Sequence, residues 1–209
     1  GYEHVRLEFL GLDTYADVFL NETRILTADN MFRRWAAEVK PLLKERGNVL
    51  RVYFHSPINK ALPQYESLPY RYEAWNDQAD NGGLDGKKLS PFTRKAGYHY
   101  GWDWGPRLVT SGIWRPVKLQ GWNELRLEDV FHRQTEVSSE AARVETQVEI
   151  EAAAPVENAV VTVSDGKRVL GSRSVQLHAG MNRVSVPFTI DHPELWWCRG
   201  MGEPHLYTF

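Results

Sequence analysis

Hydrophobic and polar residues alternate in several short segments of the first half of the chain. Val5, Leu7 and Phe9 fall on one face of an extended segment, with Arg6 and Glu8 on the other. A period of two residues is typical of a strand with one buried face. The same reasoning predicts further strands over residues 15–20, 48–55 and 112–119.

The region between these strands is less regular. Residues 36–46 have a helix-like pattern, which Pro41 limits to one or two turns. Residues 58–97 contain many breakers, and we expect a short helix near Tyr70–Gln78 and coil elsewhere. A connection of that length without regular structure is usually functional.

From Leu125 onward the chain alternates between short strands and turns. Strands are predicted over residues 143–151, 159–163, 169–177 and 183–190. This spacing favours an antiparallel sandwich of immunoglobulin-like type, although the Cys…Trp…Cys pattern of immunoglobulin domains is absent. The predicted fold class is therefore all-β.

Composition and charge exclude several classes of function. The 209 residues suggest one or two domains, and a net charge of −2 with a pI near 6.4 gives no electrostatic footprint for nucleic acid. No apolar run is long enough for a membrane span, so neither nucleic acid nor membrane is expected as a partner. Cys198 is the only cysteine, which excludes an intrachain disulfide, and the histidine spacing suggests no metal site.

Both ends of the chain are strand-like, and the first residue is Gly1. We therefore expect a piece of a longer protein. The compartment stays open, because a signal peptide would precede this sequence. No cofactor is expected.

The most informative segment is Tyr98–Arg107, which reads Tyr-His-Tyr-Gly-Trp-Asp-Trp-Gly-Pro-Arg. An indole offers a flat apolar face, and a carboxylate offers lone pairs to hydroxyl groups. A sugar presents an apolar C–H face and a rim of hydroxyls, so Trp102 and Asp103 form a candidate sugar site. The alternative interpretation is an aromatic hinge buried between sheets.

The sequence resembles the N-terminal, non-catalytic portion of a β-mannosidase of glycoside hydrolase family 2. The matching segments are residues 11–21, 30–33, 94–96, 99–106, 112–117, 194–197 and 200–207. The Gly-Ile-Trp-Arg-Pro-Val segment at 112–117 indicates the superfamily, and Trp-Asp-Trp-Gly-Pro at 102–106 indicates the mannosidase branch. Cys198-Arg199-Gly200 departs from the family pattern of Pro-Asn-Gly, which we expect to alter a turn only.

The resemblance implies two domains. Residues 1–122 would form a jelly-roll, galactose-binding-like sugar-binding domain that is truncated at its N-terminus. Residues 123–209 would form an immunoglobulin-like β-sandwich that is truncated at its C-terminus.

The resemblance also implies a retaining glycosidase whose two catalytic glutamates lie on a (β/α)₈ barrel. The acid/base of the family follows an asparagine, but Asn21-Glu22 and Asn123-Glu124 are interpreted as turn residues. We therefore expect no catalytic residue in this chain, which alone would be inactive, and expect the barrel beyond Phe209.

The expected function is that of an exo-acting retaining β-mannosidase, which removes terminal β-D-mannose from β-mannosides and manno-oligosaccharides. By the resemblance, Trp102 would wall the pocket and Asp103 would accept hydrogen bonds from sugar hydroxyls. Trp104 is expected to pack beneath the loop, and His99 to be a hydrogen-bonded neighbour.

Three alternatives are open at this point. The first is a stand-alone carbohydrate-binding β-sandwich module. The second is another family 2 exo-glycosidase, such as a glucosaminidase. The third is a structural interaction domain, which predicts that Trp102 and Asp103 are buried against protein with no cleft nearby.

Overall fold

The computed structural model describes residues 1–102 and 104–209, with backbone alone for Asn81 and Gly82. These residues divide into two compact units, residues 1–121 (the first unit) and 122–209 (the second unit). The strands are β1 His4–Phe9, β2 Leu12–Asp13, β3 Tyr15–Leu20, β4 Thr23–Asp29, β5 Trp35–Glu38, β6 Leu50–Phe54, β7 Gly112–Ile113, β8 Val117–Trp122, β9 Leu125–Val137, β10 Ala141–Ala152, β11 Val156–Ser164, β12 Val169–Leu177 and β13 Gly180–Asp191. Helix α1 spans Pro57–Ser67, and 3₁₀ turns occupy Lys40–Leu42, Ala79–Gly82, Ser90–Phe92 and Gly97–Tyr100.

Two three-stranded sheets form the body of the first unit, in the orders β5-β1-β8 and β4-β3-β6. Val5, Leu7 and Phe9 of β1 are buried, as their alternation predicts, but Glu8, predicted on the opposite face, is buried as well. In β3 alternate residues are buried. The two sheets bury one shared core, whose members are Val5, Leu7, Phe9, Leu12, Ala16, Val18, Leu20, Ala28 and Val39. The first unit is therefore a β-sandwich.

A second, smaller core lies under the long connection between β6 and β7. Its buried members are Ala61 of α1, Leu89 and Tyr100, with Phe92 and Val109 packed against them. Because loops bury little apolar surface on their own, this cluster is what fixes the connection to the unit. It also fixes the backbone immediately before Trp102.

The second unit is also a sandwich. Sheet β13-β10-β9 and ribbon β11-β12 bury a core of Val144, Val148, Ile150, Ala152, Val163, Leu177, Val184, Val186 and Phe188. Strands β10 and β13 pair in antiparallel register from Ala141↔Asp191 to Ala152↔Gly180. The predicted all-β fold class is confirmed in both units.

The predicted helix near Tyr70–Gln78 is wrong, because the helix is α1, further toward the N-terminus. Ser56 caps α1 by accepting a hydrogen bond from the Asn59 backbone N–H at 3.3 Å, and Pro57 occupies its first turn. A serine followed by proline is a helix start signal. Pro63, one of the breakers of residues 58–97, lies inside this helix.

The strand predicted over residues 112–119 is interrupted. Gly112–Ile113 pair with β2, and a separate strand begins at Val117 after Pro116, which has no N–H to donate to a ladder. Over residues 36–46 the helix-like pattern yields one 3₁₀ turn, because Trp35–Glu38 pair with β1 instead.

Both Asn-Glu pairs lie between strands, as expected. Asn21 and Glu22 have φ of 48° and 71° and join β3 to β4, while Asn123 and Glu124 join β8 to β9. Within the part of the chain that the structure describes, no helix is long and apolar enough to cross a membrane.

Asp17 on the outer face of β3 makes the stability of the first unit sensitive to acid. Its carboxylate accepts hydrogen bonds from Thr27 Oγ1 at 2.7 Å and His55 Nε2 at 2.8 Å, and these bonds hold the Asp17 pKa below its ordinary value of 3.8. The contribution of ionised Asp17 is therefore complete above the unfolded-state pKa. It is lost as the pH falls through the lower folded-state pKa.

We predict that Asp17→Asn lowers the urea midpoint of unfolding at about pH 5 and that its difference from the parent shrinks by about pH 2.5. An equal difference at the two pH values would contradict this account.

Candidate functional site

The segment from Lys95 to Thr110, called here the Trp102 loop, is anchored to Asp13 of β2 through Lys95, which also binds the other end of the segment. Lys95 Nζ lies 2.5 Å from the Asp13 carboxylate and donates a hydrogen bond to the Thr110 carbonyl at 2.7 Å. The Lys95 side chain has no solvent exposure, and burial holds its pKa below the ordinary value. The two Asp13 oxygens and the Thr110 carbonyl match the three donors of an ammonium group.

His99 reinforces the same anchor. Its Nδ1 lies 3.3 Å from Thr110 Oγ1, and its Nε2 lies 3.8 Å from Asp13 Oδ2. The expectation that His99 is hydrogen-bonded is confirmed. Strand β7, which begins two residues after Thr110, pairs Gly112 with Asp13.

A second anchor joins the loop to the connection before it. The Asp77 carboxylate accepts hydrogen bonds from the backbone N–H groups of Leu89 at 2.8 Å and Ser90 at 2.9 Å. Arg107 Nε donates to the same carboxylate at 3.3 Å, and its guanidinium lies 5.5 Å from the centroid of the Tyr100 ring. Arg107 Nη2 is buried and has no hydrogen-bond partner among the described residues.

Tyr100 is fully buried directly before the aromatic motif. Its hydroxyl lies 2.6 Å from Thr93 Oγ1, and its carbonyl accepts a hydrogen bond from the Gln78 N–H at 2.8 Å. Burial raises the Tyr100 pKa to about 12. The phenol is therefore a neutral structural group at physiological pH.

Gly101 makes the turn from this buried tyrosine to the exposed motif. Its φ of 101° and ψ of 179° belong to a region that only glycine occupies readily. A Cβ at this position would also lie 2.6 Å from Gln78 Cγ. The sequence Tyr-Gly-Trp thus sends Trp102 outward while Tyr100 stays in the core.

Trp102 and Gly105 then exchange backbone hydrogen bonds of 3.2 and 3.3 Å. The Trp102 side chain is 47% exposed, and its ring centroid lies 6.0 Å from that of Trp104 at an interplanar angle of 47°. Trp104 is 79% exposed, so the prediction that it packs beneath the loop is wrong for this chain. Asp103, the second predicted site residue, lies outside the described residues.

The accessible Trp102 face argues against the interpretation of the motif as an aromatic hinge buried between sheets. A rigidly held, accessible indole can stack on the C–H face of a sugar ring. Among the described residues, no group of three or more His, Cys, Asp or Glu side chains could hold a metal ion. The arrangement therefore suits binding through stacking and hydrogen bonding.

The sequence identified the exposed tryptophan but not the groups that hold it. Asp13 and Lys95 are 82 positions apart, and Asp77 and Arg107 are 30 positions apart. Neither separation corresponds to a helix or hairpin period, so no local pattern could have revealed these ion pairs.

The second unit contains a cavity of about 650 Å³. Its mainly apolar lining includes Val144, Ile190, Trp196, Trp197, Tyr207 and Phe209, and Trp102 is not part of it. The rings of Tyr207 and Phe209 stack in parallel there, at 6.1 Å between centroids. Trp196 is 57% exposed and Leu206 79% exposed, so this cavity is open to solvent.

Comparison with known families identifies the class of protein. Residues 1–115 match the glycosyl hydrolase 2 galactose-binding domain-like family, and residues 125–209 match glycosyl hydrolases family 2. The chain belongs to glycoside hydrolase family 2.

Two curated relatives of the chain are called β-mannosidase B. The chain is 36% identical over 203 residues to β-mannosidase B of Thermothelomyces thermophilus and 34% identical over 208 residues to β-mannosidase B of Aspergillus oryzae. These matches cover 96% of this chain, but 22% and 23% of the relatives. The chain thus spans about a fifth of the length of the curated relatives that it matches.

Solved structures agree with this assignment. The crystal structure of β-D-mannosidase from Dictyoglomus thermophilum matches with a TM-score of 0.79 and 36% identity, over 97% of this chain and 24% of that one. An exo-chitosanase from Amycolatopsis orientalis matches with a TM-score of 0.63 but only 18% identity, over 95% of this chain and 20% of that one. The second likeness shows the fold alone.

We predict that Gly101→Ala displaces the Trp102 loop, because the backbone conformation costs a non-glycine residue on the order of 1–3 kcal/mol and the methyl group meets Gln78. Hydrogen exchange of a peptide covering residues 97–110 should become faster. Gly105→Ala is the matched control, since its Cβ would lie 3.6 Å from Trp102 Cβ, an ordinary contact. Equal exchange in the two variants would refute the role of Gly101.

Proposed function

We propose that this chain is the N-terminal, non-catalytic part of an exo-acting retaining β-mannosidase. In this proposal the first unit supplies the Trp102 loop, which completes the sugar pocket, and the second unit is scaffold. The substrates are β-mannosides and manno-oligosaccharides, from which terminal β-D-mannose is removed. The catalytic carboxylates belong to a (β/α)₈ barrel of the same parent chain.

The observation that carries this proposal is an exposed tryptophan on a loop anchored by two buried ion pairs. Trp102 keeps about half of its surface accessible, while Lys95 and Arg107 tie the flanking backbone to Asp13 and Asp77. The apolar face of Trp102 is thus held outside the hydrophobic cores of the first unit. The names of the relatives supply the sugar, since several are called β-mannosidases.

Chemistry gives each proposed site residue a distinct part. The Trp102 face packs against sugar C–H groups and excludes water, and the Asp103 carboxylate accepts hydrogen bonds from sugar hydroxyls. Hydrogen bonds to a charged group contribute about 1.5–3 kcal/mol, corresponding to about 10- to 150-fold in an equilibrium or rate constant.

The other functional readings have less support. A structural domain would bury Trp102 against protein, whereas it is about half exposed in this chain. A stand-alone binding module would have relatives of similar length, whereas the matched relatives are more than four times longer. Another exo-glycosidase of family 2 is tested by substrate choice.

Substrate choice is the experiment that tests the proposed function. The intact parent protein should hydrolyse an aryl β-mannoside selectively over the matching β-galactoside, β-glucuronide and β-glucosaminide. Selective cleavage of another of these sugars would replace the substrate assignment. No cleavage of any of them would favour a binding module.

In the intact parent we predict that Asp103→Ala lowers kcat/KM for the aryl β-mannoside by about one to two orders of magnitude, because bonds to the sugar are lost. Asp191→Ala is the matched control, since Asp191 is exposed at the end of β13 in the second unit. It should leave kcat/KM within about twofold. Equal activity of the Asp103→Ala variant and the parent would overturn the role of Asp103.

A further inference from the structure

The two ends of the Trp102 loop meet at one buried cation. Lys95 is the first residue of the loop and Thr110 the last, and the Lys95 ammonium bonds to the Thr110 carbonyl. The same ammonium bonds to both oxygens of Asp13, whose strand lies outside the loop. One side chain thus closes the loop and fastens it to the sheet ribbon β2-β7.

We propose that Lys95 is a positioning residue for the Trp102 side chain, acting through its ion pair with Asp13 and its hydrogen bond to the Thr110 carbonyl. The inference deepens the proposed function, on which it rests. Lys95 touches no substrate in this proposal. It affects the reaction only by setting the position of the Trp102 side chain.

The surroundings of the pair favour positioning over a contribution to stability. A buried ion pair gains little net stability, because both charges lose their hydration. It does fix geometry, since an ammonium with all three donors satisfied leaves the attached backbone one favourable arrangement. The lysine side chain is completely buried and Asp13 nearly so, so water does not replace either partner.

The apolar cores of the first unit are built from residues other than the pair. The core shared by β1 and β3 contains neither Lys95 nor Asp13 as a member. The smaller core beneath the connection is built from Ala61, Leu89 and Tyr100. A variant that removes both charges therefore leaves these apolar contacts in place, so that loop position and core stability are measured separately.

The test uses the intact parent protein and two variants. Lys95→Met removes the ammonium and leaves the Asp13 carboxylate buried without its cation, which is expected to reduce the stability of the first unit. The double variant Asp13→Asn/Lys95→Met removes both charges, so the cost of an unpaired buried charge disappears. The tie between the loop ends is absent from both.

Two peptides report separately in one hydrogen-exchange experiment. A peptide covering β3 reports the stability of the first unit, and a peptide covering residues 97–110 reports the loop. In the double variant we expect β3 protection like that of the parent, faster exchange in the loop, and kcat/KM for the aryl β-mannoside lower by about 10- to 100-fold.

Lys87→Met is the matched control. Lys87 belongs to the same long connection and pairs with Glu66 at 3.1 Å, but both side chains are substantially exposed. Loss of this pair should leave loop exchange unchanged and kcat/KM within about twofold.

Three results would overturn the inference. If the double variant recovers kcat/KM together with β3 protection, Lys95 contributes stability alone. If β3 stays unprotected in the double variant, the pair supports the whole unit. If exchange of residues 97–110 does not change, the loop does not depend on Lys95.

A failure of the proposed function can be distinguished from a failure of the inference about Lys95. A parent protein that cleaves no β-mannoside refutes the proposed function, while the exchange of residues 97–110 still reports on the anchor.

Discussion

The buried ion pair between Lys95 and Asp13 is the constraint on which the geometry of the candidate site depends. Removing one partner of such a pair typically costs about 3–5 kcal/mol, whereas replacing both is often neutral. The pair is therefore better understood as a device that selects one arrangement of the loop. It joins the Trp102 loop to the ribbon β2-β7.

Closing a long connection loses little additional entropy, but holding all its residues in one conformation loses much more. The first unit meets this cost with a small core beneath the loop, with Asp77 accepting hydrogen bonds from two backbone N–H groups, and with Arg107 stacked near Tyr100. Only after these groups are buried does Gly101 direct the chain outward. Buried contacts of the loop with the rest of the first unit thus fix its conformation, while the side chains of Trp102 and Trp104 stay exposed.

The sandwich body could be predicted from the sequence because its signal is local. Alternation in β1 indicates that Val5, Leu7 and Phe9 face the core, and the structure buries them, together with Glu8 of the opposite face. The helix is not predicted at its true position because the prolines of this region favour a break, although Pro57 after Ser56 begins the helix. A proline can end a strand or begin a helix, and here the burial of Ala61 in the smaller core favours the helix.

The site was predicted only in part, for a different physical reason. Trp102 stands out by composition and by its glycine neighbours, which are local features. Its anchors are ion pairs between residues that are distant in sequence, and a single sequence carries no record of such contacts. Trp104 shows the limit of composition, since two tryptophans of one motif were assigned different environments and both are exposed.

The most direct test of the account is a structure of the intact parent protein with a mannose-configured inhibitor bound. The account predicts the Trp102 indole in van der Waals contact with the sugar, at about 3.5–4 Å between carbon atoms, with the Lys95–Asp13 pair intact beneath it. An inhibitor bound with Trp102 out of contact, or covered by protein instead of sugar, would contradict it.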